Sequence, residues 1–261
     1  MGVDAALAEL ESSALGAARG RMSLPLAAGS AVIASDPDVT THAWAELADP
    51  SSGLLAGVAA DWAGRAGFTD ERRPWVLMLF GIAHQLVDGT VAHLLLTGRV
   101  LDLSGLRIRL RRTTPGAYRA VGLILDDPCP AWTGSLPELA PLWWQGVEQV
   151  MQPLVEQATQ HGVREEIGWG EPVGLSTVAC HTLGSTGLAD AREAAKLLAQ
   201  VCGRSHLTAT EDDPLGVLID WLPRRSTCCQ WWQSANEAHY CAECPLHRSP
   251  RAQHDPLPVE H

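Results

Sequence analysis

The pattern of apolar and polar residues predicts a chain of helices interrupted by one small sheet. Residues 2–18 place Leu7, Leu10 and Ala14 at steps of three and four, which is the spacing of one helix face. Further helices are predicted over residues 52–65, 74–96, 137–160, 172–183 and 189–202. The helix over 74–96 is apolar on most sides, so we expect it at the centre of the protein.

A hairpin or meander is predicted in the middle of the chain. Residues 106–112, LRIRLRR, alternate apolar and basic side chains in the period of a half-exposed strand. Residues 118–125 form a second strand after the turn at Thr114-Pro115-Gly116. Residues 22–34 and 217–222 are also expected to be extended, and a helix break is expected over 168–172. The element order predicts an α+β fold: a mainly helical body with a small antiparallel sheet and a C-terminal cysteine-rich loop.

Composition and charge narrow the possible partners. The 261 residues are 46% hydrophobic and 19% charged, which is typical of a globular protein with a sizeable core. The formal net charge of −11 disfavours binding to nucleic acids or anionic membranes. The first twenty residues contain Asp4, Glu9 and Glu11 and lack the basic N-terminal region of a secretory signal. The longest apolar run, over 75–87, is shorter than the roughly 20 residues that span a bilayer. We therefore expect a cytoplasmic protein without a transmembrane segment.

Four of the seven cysteines lie within seventeen residues near the C-terminus: Cys228, Cys229, Cys241 and Cys244. Such clustering in a reducing compartment indicates a metal site. The Cys-x-x-Cys half suits zinc and iron-sulfur sites equally. The adjacent pair does not suit a zinc knuckle, because neighbouring side chains diverge in an extended chain, whereas a two-iron cluster offers sulfur sites on two metals. Spacing alone leaves three possibilities open: an iron-sulfur cluster, a structural zinc site and metal-free thiol chemistry.

The cysteines stand in a distinctive setting. Residues 224–232, RRSTCCQWW, and 240–246, YCAECPL, closely resemble the C-terminal signature of the FhuF-like ferric siderophore reductases. The match covers about a tenth of the chain, and the eleven residues between the cysteine pairs are one more than is usual in that family. The resemblance implies a [2Fe-2S] cluster held by all four cysteines. It also implies the one-electron reduction of Fe(III)-siderophore complexes, with hydroxamate siderophores as the expected type, and release of Fe(II).

Such a reductase implies roles for the neighbouring residues. Arg224 and Arg225 are candidates for stabilising the reduced cluster, and His239 for hydrogen bonding to a sulfur or coupling proton uptake. Trp231 and Trp232 are candidates for shielding the cluster or for substrate contact, although anchoring of the loop is the simpler explanation for at least one of them. No general base, nucleophile or dinucleotide fingerprint was found, so an external electron donor is expected, such as a reductase or a ferredoxin-like protein.

The domain boundaries follow from this interpretation. We expect residues 1–223 to form an α+β body with the substrate cleft, 224–247 the iron-sulfur segment and 248–261 a flexible tail. The basic residues of the first strand could attract an anionic chelate, but a plain solvated strand face is the simpler interpretation: Arg107, Arg109, Arg111 and Arg112. The remaining cysteines and several tryptophans are expected in the core: Cys129, Cys180, Cys202, Trp143, Trp144 and Trp169.

Two other functions compete with the reductase. One is a zinc-stabilised binding or scaffold protein, in which the C-terminal loop docks a partner and no electrons move. The other is a siderophore-binding or iron-sensing protein that contains a cluster but does not reduce its ligand.

Overall fold

The computed structural model of the protein describes residues 26–28, 37–125, 130–185, 190–202, 207–208, 224–225 and 233. The helices in these ranges are α1 (Trp44–Ala48), α2 (Leu54–Ala66), α3 (Arg72–Thr97), α4 (Leu136–Gln160), α5 (Glu165–Ser185) and α6 (Ala191–Val201), with a 3₁₀ turn at Pro50–Ser52. The strands are β1 (Leu26–Ala28), β2 (Val39–Ala43), β3 (Arg99–Leu101), β4 (Leu106–Thr114), β5 (Ala117–Leu125), β6 (Pro130–Thr133), β7 (Leu207–Thr208) and β8 (Arg224–Arg225).

The main sheet has four strands in the order β1-β5-β4-β2. Strands β4 and β5 form the expected antiparallel hairpin, and Gly116 in its turn has a φ of 78°, which favours glycine. Strand β2 pairs with β4 in the antiparallel sense, and the short β1 adds to β5 in the parallel sense. Two further pairs, β3-β6 and β7-β8, are both antiparallel. The predicted α+β class, mainly helical with a small antiparallel sheet, is confirmed.

Helix α3 is the core of the body. It packs against α2, α4 and α5 and also against β5, so apolar side chains on nearly all of its sides are buried. Its length, and a mean hydropathy of 1.3 over an apolar window of 18 residues, are sufficient to cross a membrane. Within the described ranges it is the one helix of which this is true. However, 78% of its apolar window is buried inside the protein, as is usual for a core helix. The central position expected for residues 74–96 is thus confirmed.

Tryptophans fill the space between α3, α4 and α5. Trp143, Trp144 and Trp169 are almost fully buried, as the sequence predicted. The Trp144 ring centroid lies 5.9 Å from that of Trp143 and 6.0 Å from that of Trp169, distances typical of packed aromatic pairs. The indole nitrogen of Trp143 donates a 2.9 Å hydrogen bond to the Thr90 hydroxyl, so the polar edge of the ring is satisfied inside the core.

The helix break predicted over residues 168–172 is wrong, because α5 runs without interruption from Glu165 to Ser185 with Pro172 inside it. Packing explains the difference. A Cβ atom at Gly168 would lie 3.0 Å from Val155 and 3.3 Å from Leu79, so the glycine lets α5 approach both neighbouring helices closely. The close packing of α5 against these two helices offsets the free-energy cost of the backbone hydrogen bond that Pro172 cannot donate.

Several predictions lie outside the described residues. These are the helix over 2–18, most of the extended segment 22–34, the strand over 217–222 and the flexible tail 248–261. The proposed boundary between body and cysteine segment also remains a prediction.

Candidate functional site

We define residues 224–247 as the cysteine segment, of which the structure describes Arg224, Arg225 and Gln233. Arg224 and Arg225 form β8, in which Arg225 pairs with Leu207 and Arg224 with Thr208. Both strands of this pair contact α5. The start of the segment is therefore attached to the helical body at α5. Its other candidate residues lie outside the described part of the chain: Cys228, Cys229, Trp231, Trp232, His239, Cys241 and Cys244.

Two buried thiols lie on α5 and at the end of α6. Burial raises the pKa of Cys180 to about 12, and burial together with the charge of Glu148 raises the pKa of Cys202 even further. Both thiols therefore stay protonated at neutral pH, which makes them poor nucleophiles and poor metal ligands. Their predicted role as small buried side chains is confirmed, whereas Cys129 lies outside the described residues.

A charged cluster that the sequence analysis missed joins α2 to the hairpin. The Asp61 carboxylate accepts a 2.9 Å hydrogen bond from Arg65 Nε and bonds of 3.3 and 3.4 Å from Nε and Nη2 of Arg119. Its side chain is only 4% exposed. Burial alone would raise the pKa of Asp61, but hydrogen bonds from Arg119, Thr113 and Arg65 outweigh it and hold the pKa below its usual range. The carboxylate therefore remains charged at neutral pH.

This cluster borders a cavity of about 40 Å³ between α2, α3 and β5. Gln85 and Trp62 also line the cavity, and the Arg65 guanidinium lies 3.8 Å from the centre of the Trp62 ring. Pockets that enclose organic ligands are typically several hundred Å³, whereas this volume holds a few water molecules. We therefore interpret the Asp61 cluster as a structural connection between α2 and the hairpin. An aspartate four residues before an arginine in an otherwise apolar helix is the sequence signal that would have indicated it.

Helix α3 carries histidines in two different environments. His84 is partly exposed, and its Nδ1 lies 3.4 Å from the buried Asp88 carboxylate. His93 is 5% exposed, and burial together with the positive charge of Arg99 lowers its pKa to about 4. His93 is thus neutral over the physiological range. No group of three or more His, Cys, Asp or Glu side chains suited to a metal ion is found within the described ranges.

The basic residues of β4 face away from the core. Leu106, Ile108 and Leu110 are buried, whereas Arg107 and Arg109 are partly exposed. Arg111 and Arg112 near the hairpin turn are exposed. The alternation predicted from LRIRLRR is therefore confirmed from Leu106 to Arg111, and Arg107, Arg109 and Arg111 share the face of the sheet opposite the buried leucines and isoleucine.

A second recess, of about 240 Å³, lies where the C-terminal end of α3 meets the first turns of α4 and α6. Aliphatic side chains dominate its lining, including Leu94, Leu136 and Leu139, and Asp190 lies at its edge. A lining of this kind offers few groups to recognise a polar iron chelate.

Comparison with known proteins adds no assignment. Scans against models of protein families and against curated proteins find no match to this chain. The resemblance to the ferric siderophore reductases therefore rests on the sequence motif of the cysteine segment, and a function must be inferred from the residues themselves.

Proposed function

We propose that the chain binds a [2Fe-2S] cluster through Cys228, Cys229, Cys241 and Cys244 and reduces ferric siderophores in the cytoplasm. One observation carries this proposal: an adjacent cysteine pair and a Cys-x-x-Cys lie within seventeen residues, in the basic and tryptophan-rich context of that reductase family. Four thiolates are the usual ligand set of a two-iron cluster, and an adjacent pair is unusual for zinc.

The chemistry of two of the three other cysteines supports this ligand assignment. Cys180 and Cys202 are buried in the body with raised pKa values, so neither supplies a thiolate at neutral pH. We therefore assign the four clustered cysteines as the thiolate ligands of the proposed cluster.

The cluster, when bound, accepts and donates one electron at a time. The proposed role of the protein's own residues is to hold the cluster near the substrate. The pairing of β8 with β7 attaches the segment to α5, and only two residues separate Arg225 from Cys228. Arg224 and Arg225 provide positive charge that favours the reduced state, because reduction adds a negative charge nearby. Trp231, Trp232 and His239 are the proposed contacts to substrate and sulfur.

The substrate chemistry requires no acid, base or nucleophile from the protein. Hydroxamate siderophores hold Fe(III) with hard oxygen donors, and they bind Fe(II) much more weakly. A single electron therefore converts a tightly bound ion into one that is released. The electron comes from an external donor, either a reductase or a ferredoxin-like protein.

Freshly purified protein tests the proposal directly. We expect a reddish-brown sample with equal amounts of iron and sulfide, and a rhombic electron paramagnetic resonance signal after reduction. Dithionite-reduced protein mixed with a ferric hydroxamate should reoxidise faster than in buffer alone, while ferrozine traps the Fe(II) produced. A colourless, zinc-containing sample would instead identify a scaffold protein. A coloured sample with no acceleration would identify a sensor.

Cysteine variants identify the ligands. Cys244→Ser should abolish the visible chromophore but preserve the far-ultraviolet circular dichroism of the body, because the described core is built without residues 226–261. Cys180→Ala is the matched control and should keep the chromophore, since its thiol is buried and protonated. The ligand assignment would be contradicted if Cys180→Ala lost the chromophore while Cys244→Ser kept it.

A further inference from the structure

The junction between β2 and α1 holds a connected row of three polar side chains. The Thr40 hydroxyl oxygen lies 2.7 Å from Nε2 of His42, and Nδ1 of His42 lies 3.1 Å from a carboxylate oxygen of Glu46. A hydroxyl, an imidazole and a carboxylate are thus connected in that order through both nitrogens of one ring. We call these three residues the Thr40 triad.

Local structure explains why the three side chains meet. Thr40 and His42 are two residues apart on β2, so their side chains leave the strand on the same face. Helix α1 follows the strand directly and places Glu46 in its first turn, within reach of the ring. Trp44 anchors this helix, because its indole nitrogen donates a 3.0 Å hydrogen bond to the carbonyl oxygen of Val150 on α4. The junction is therefore held against the helical body.

The distances within the Thr40 triad indicate where the protons lie. A carboxylate beside Nδ1 favours the tautomer in which Nδ1 carries the proton and donates it to Glu46. Nε2 of His42 is then an acceptor for the Thr40 hydroxyl. The carbonyl oxygen of Leu110 is a second acceptor for this hydroxyl, but its distance of 3.5 Å is at the outer limit of a hydrogen bond, whereas 2.7 Å is close to ideal. The hydroxyl proton of Thr40 is therefore directed at a base.

The Thr40 triad is accessible from solvent. Thr40 is an exposed residue, and the side chains of His42 and Glu46 are 18% and 51% exposed. In the described part of the chain, β2 is the outermost strand of the main sheet. A small molecule can therefore approach the Thr40 hydroxyl from the edge of the sheet.

A backbone donor lies directly after Thr40 in the chain. The N–H of Arg112 on β4 donates to the carbonyl oxygen of Asp38, so alternate residues of the paired segment, Asp38, Thr40 and His42, bond to β4. The N–H of Thr41 consequently points away from β4, toward the edge of the sheet. A backbone N–H in this position suits the stabilisation of an oxyanion that forms where the Thr40 hydroxyl attacks a carbonyl group.

We propose that Thr40 is a nucleophile that accepts acyl groups from carboxylic esters, with His42 as its general base and Glu46 as the positioning residue for His42. Hydroxyl-imidazole-carboxylate triads occur on unrelated folds and are identified by their geometry and by the role of each group, not by sequence position. This activity goes beyond the proposed reductase function, and it requires no metal cluster.

The reaction has two balanced steps. The Thr40 oxygen attacks the ester carbonyl carbon while its proton passes to Nε2 of His42, and the bond to the leaving alcohol then breaks as that oxygen takes the proton from His42. Water repeats the sequence at the acyl-Thr40 ester, which releases the carboxylic acid and restores the hydroxyl. No oxidant, reductant or cofactor is consumed.

The test uses the full-length protein as purified, with p-nitrophenyl acetate as the probe. Absorbance follows the release of p-nitrophenolate, and mass spectrometry of acid-quenched digests locates the acetyl group. The chain has a single lysine, Lys196, so acetylated side-chain amines are easily distinguished from an ester on Thr40. The hydroxyl of Thr41 is an internal control, because Thr41 is also exposed but its side chain lies on the other face of the strand.

We expect the acetyl group on Thr40 and not on Thr41. Thr40→Val should abolish this acetylation, whereas Thr40→Ser keeps a hydroxyl and should retain it. His42→Gln should lower the rate of acetylation at residue 40 about 100-fold, and the matched control His161→Gln, which removes another exposed histidine, should stay within about twofold of wild type. Equal acetylation of Thr40 and Thr41 would overturn the proposal, as would an unchanged rate in His42→Gln. If His42→Gln misfolds, the preference for Thr40 over Thr41 in wild type decides the outcome.

Nitrogen NMR of the His42 ring tests the positioning role of Glu46. In wild type the neutral ring should carry its proton on Nδ1. Glu46→Gln should increase the population with the proton on Nε2 and lower the acetylation rate about tenfold, whereas a purely structural role would change neither. If the neutral ring of wild type carried its proton mainly on Nε2, Thr40 would face a donor instead of a base, and the proposal would be refuted.

Discussion

Replacing Asp61 with asparagine tests whether the buried carboxylate holds α2 to the hairpin. The amide has the same shape but loses the negative charge that faces Arg65 and Arg119. The hydrogen bond of 2.9 Å to Arg65 joins a 4% exposed carboxylate to a 26% exposed guanidinium, and such charge-assisted bonds contribute about 1.5–3 kcal/mol. Arg119 is 42% exposed, so its contribution is discounted to about 0.5 kcal/mol. Asp61→Asn should therefore lower the free energy of unfolding by about 2–3 kcal/mol at pH 7.

Urea denaturation followed by far-ultraviolet circular dichroism measures this change, and acid provides a second check. The pKa of Asp61 is lowered in the folded protein, so its contribution is complete above the unfolded pKa of about 3.9 and is lost as pH falls through the lower folded value. The difference between wild type and variant should shrink accordingly in acid. Glu193→Gln breaks the exposed pair with Lys196 and should have no measurable effect. A loss below about 0.5 kcal/mol for Asp61→Asn at pH 7 would refute the reasoning.

Two further predictions concern residues in the core. His93 has a folded pKa of about 4 because of burial and the charge of Arg99, so the unfolded state binds more protons between pH 6.5 and 4. The free energy of unfolding should fall by roughly 3 kcal/mol as the pH is lowered from 6.5 to 4. His93→Gln removes the titrating group, so the urea midpoint of this variant should change less with pH than that of wild type. An equal pH dependence in both proteins would contradict this reasoning. Gly57→Ala should lower the melting temperature although alanine favours helices, because its Cβ would overlap the Tyr118 ring and lie 2.9 Å from the Gly116 carbonyl oxygen. A higher melting temperature would show that the hairpin moves aside easily.

The elements that the sequence predicted well are those defined by local patterns. The helix that begins near Pro74 and the strand that contains Arg107 and Arg109 lie close to their predicted positions, because burial on one or all sides leaves a periodic signature. The continuous helix through Pro172 was missed because the close packing of Gly168 depends on residues far away in the chain.

Long-range pairings were also beyond sequence reasoning. Strand β2 contains two threonines and a histidine and has no strong alternation, so its pairing with β4 becomes evident only in the folded protein. The contact between Asp61 and Arg119 spans 58 positions, although its local half with Arg65 has the spacing of a helical ion pair. The outward direction of the alternating β4 arginines was predicted correctly. The iron-sulfur assignment of the four cysteines stays a prediction.

The pairing of β7 with β8 has a consequence for how the chain would respond to the proposed cluster. Two residue pairs join these strands, which are fifteen residues (209–223) apart along the chain. The conformational entropy lost on bringing together strands at this separation is comparable to the stabilisation from a few backbone hydrogen bonds. Such a ladder opens at a lower free energy than the helical core. Any ligand that binds only while β7 and β8 are paired then shifts this local equilibrium toward pairing. If the proposed cluster binds in this way, its occupancy and the pairing of these two strands would be thermodynamically linked, while the described core remains folded in both states.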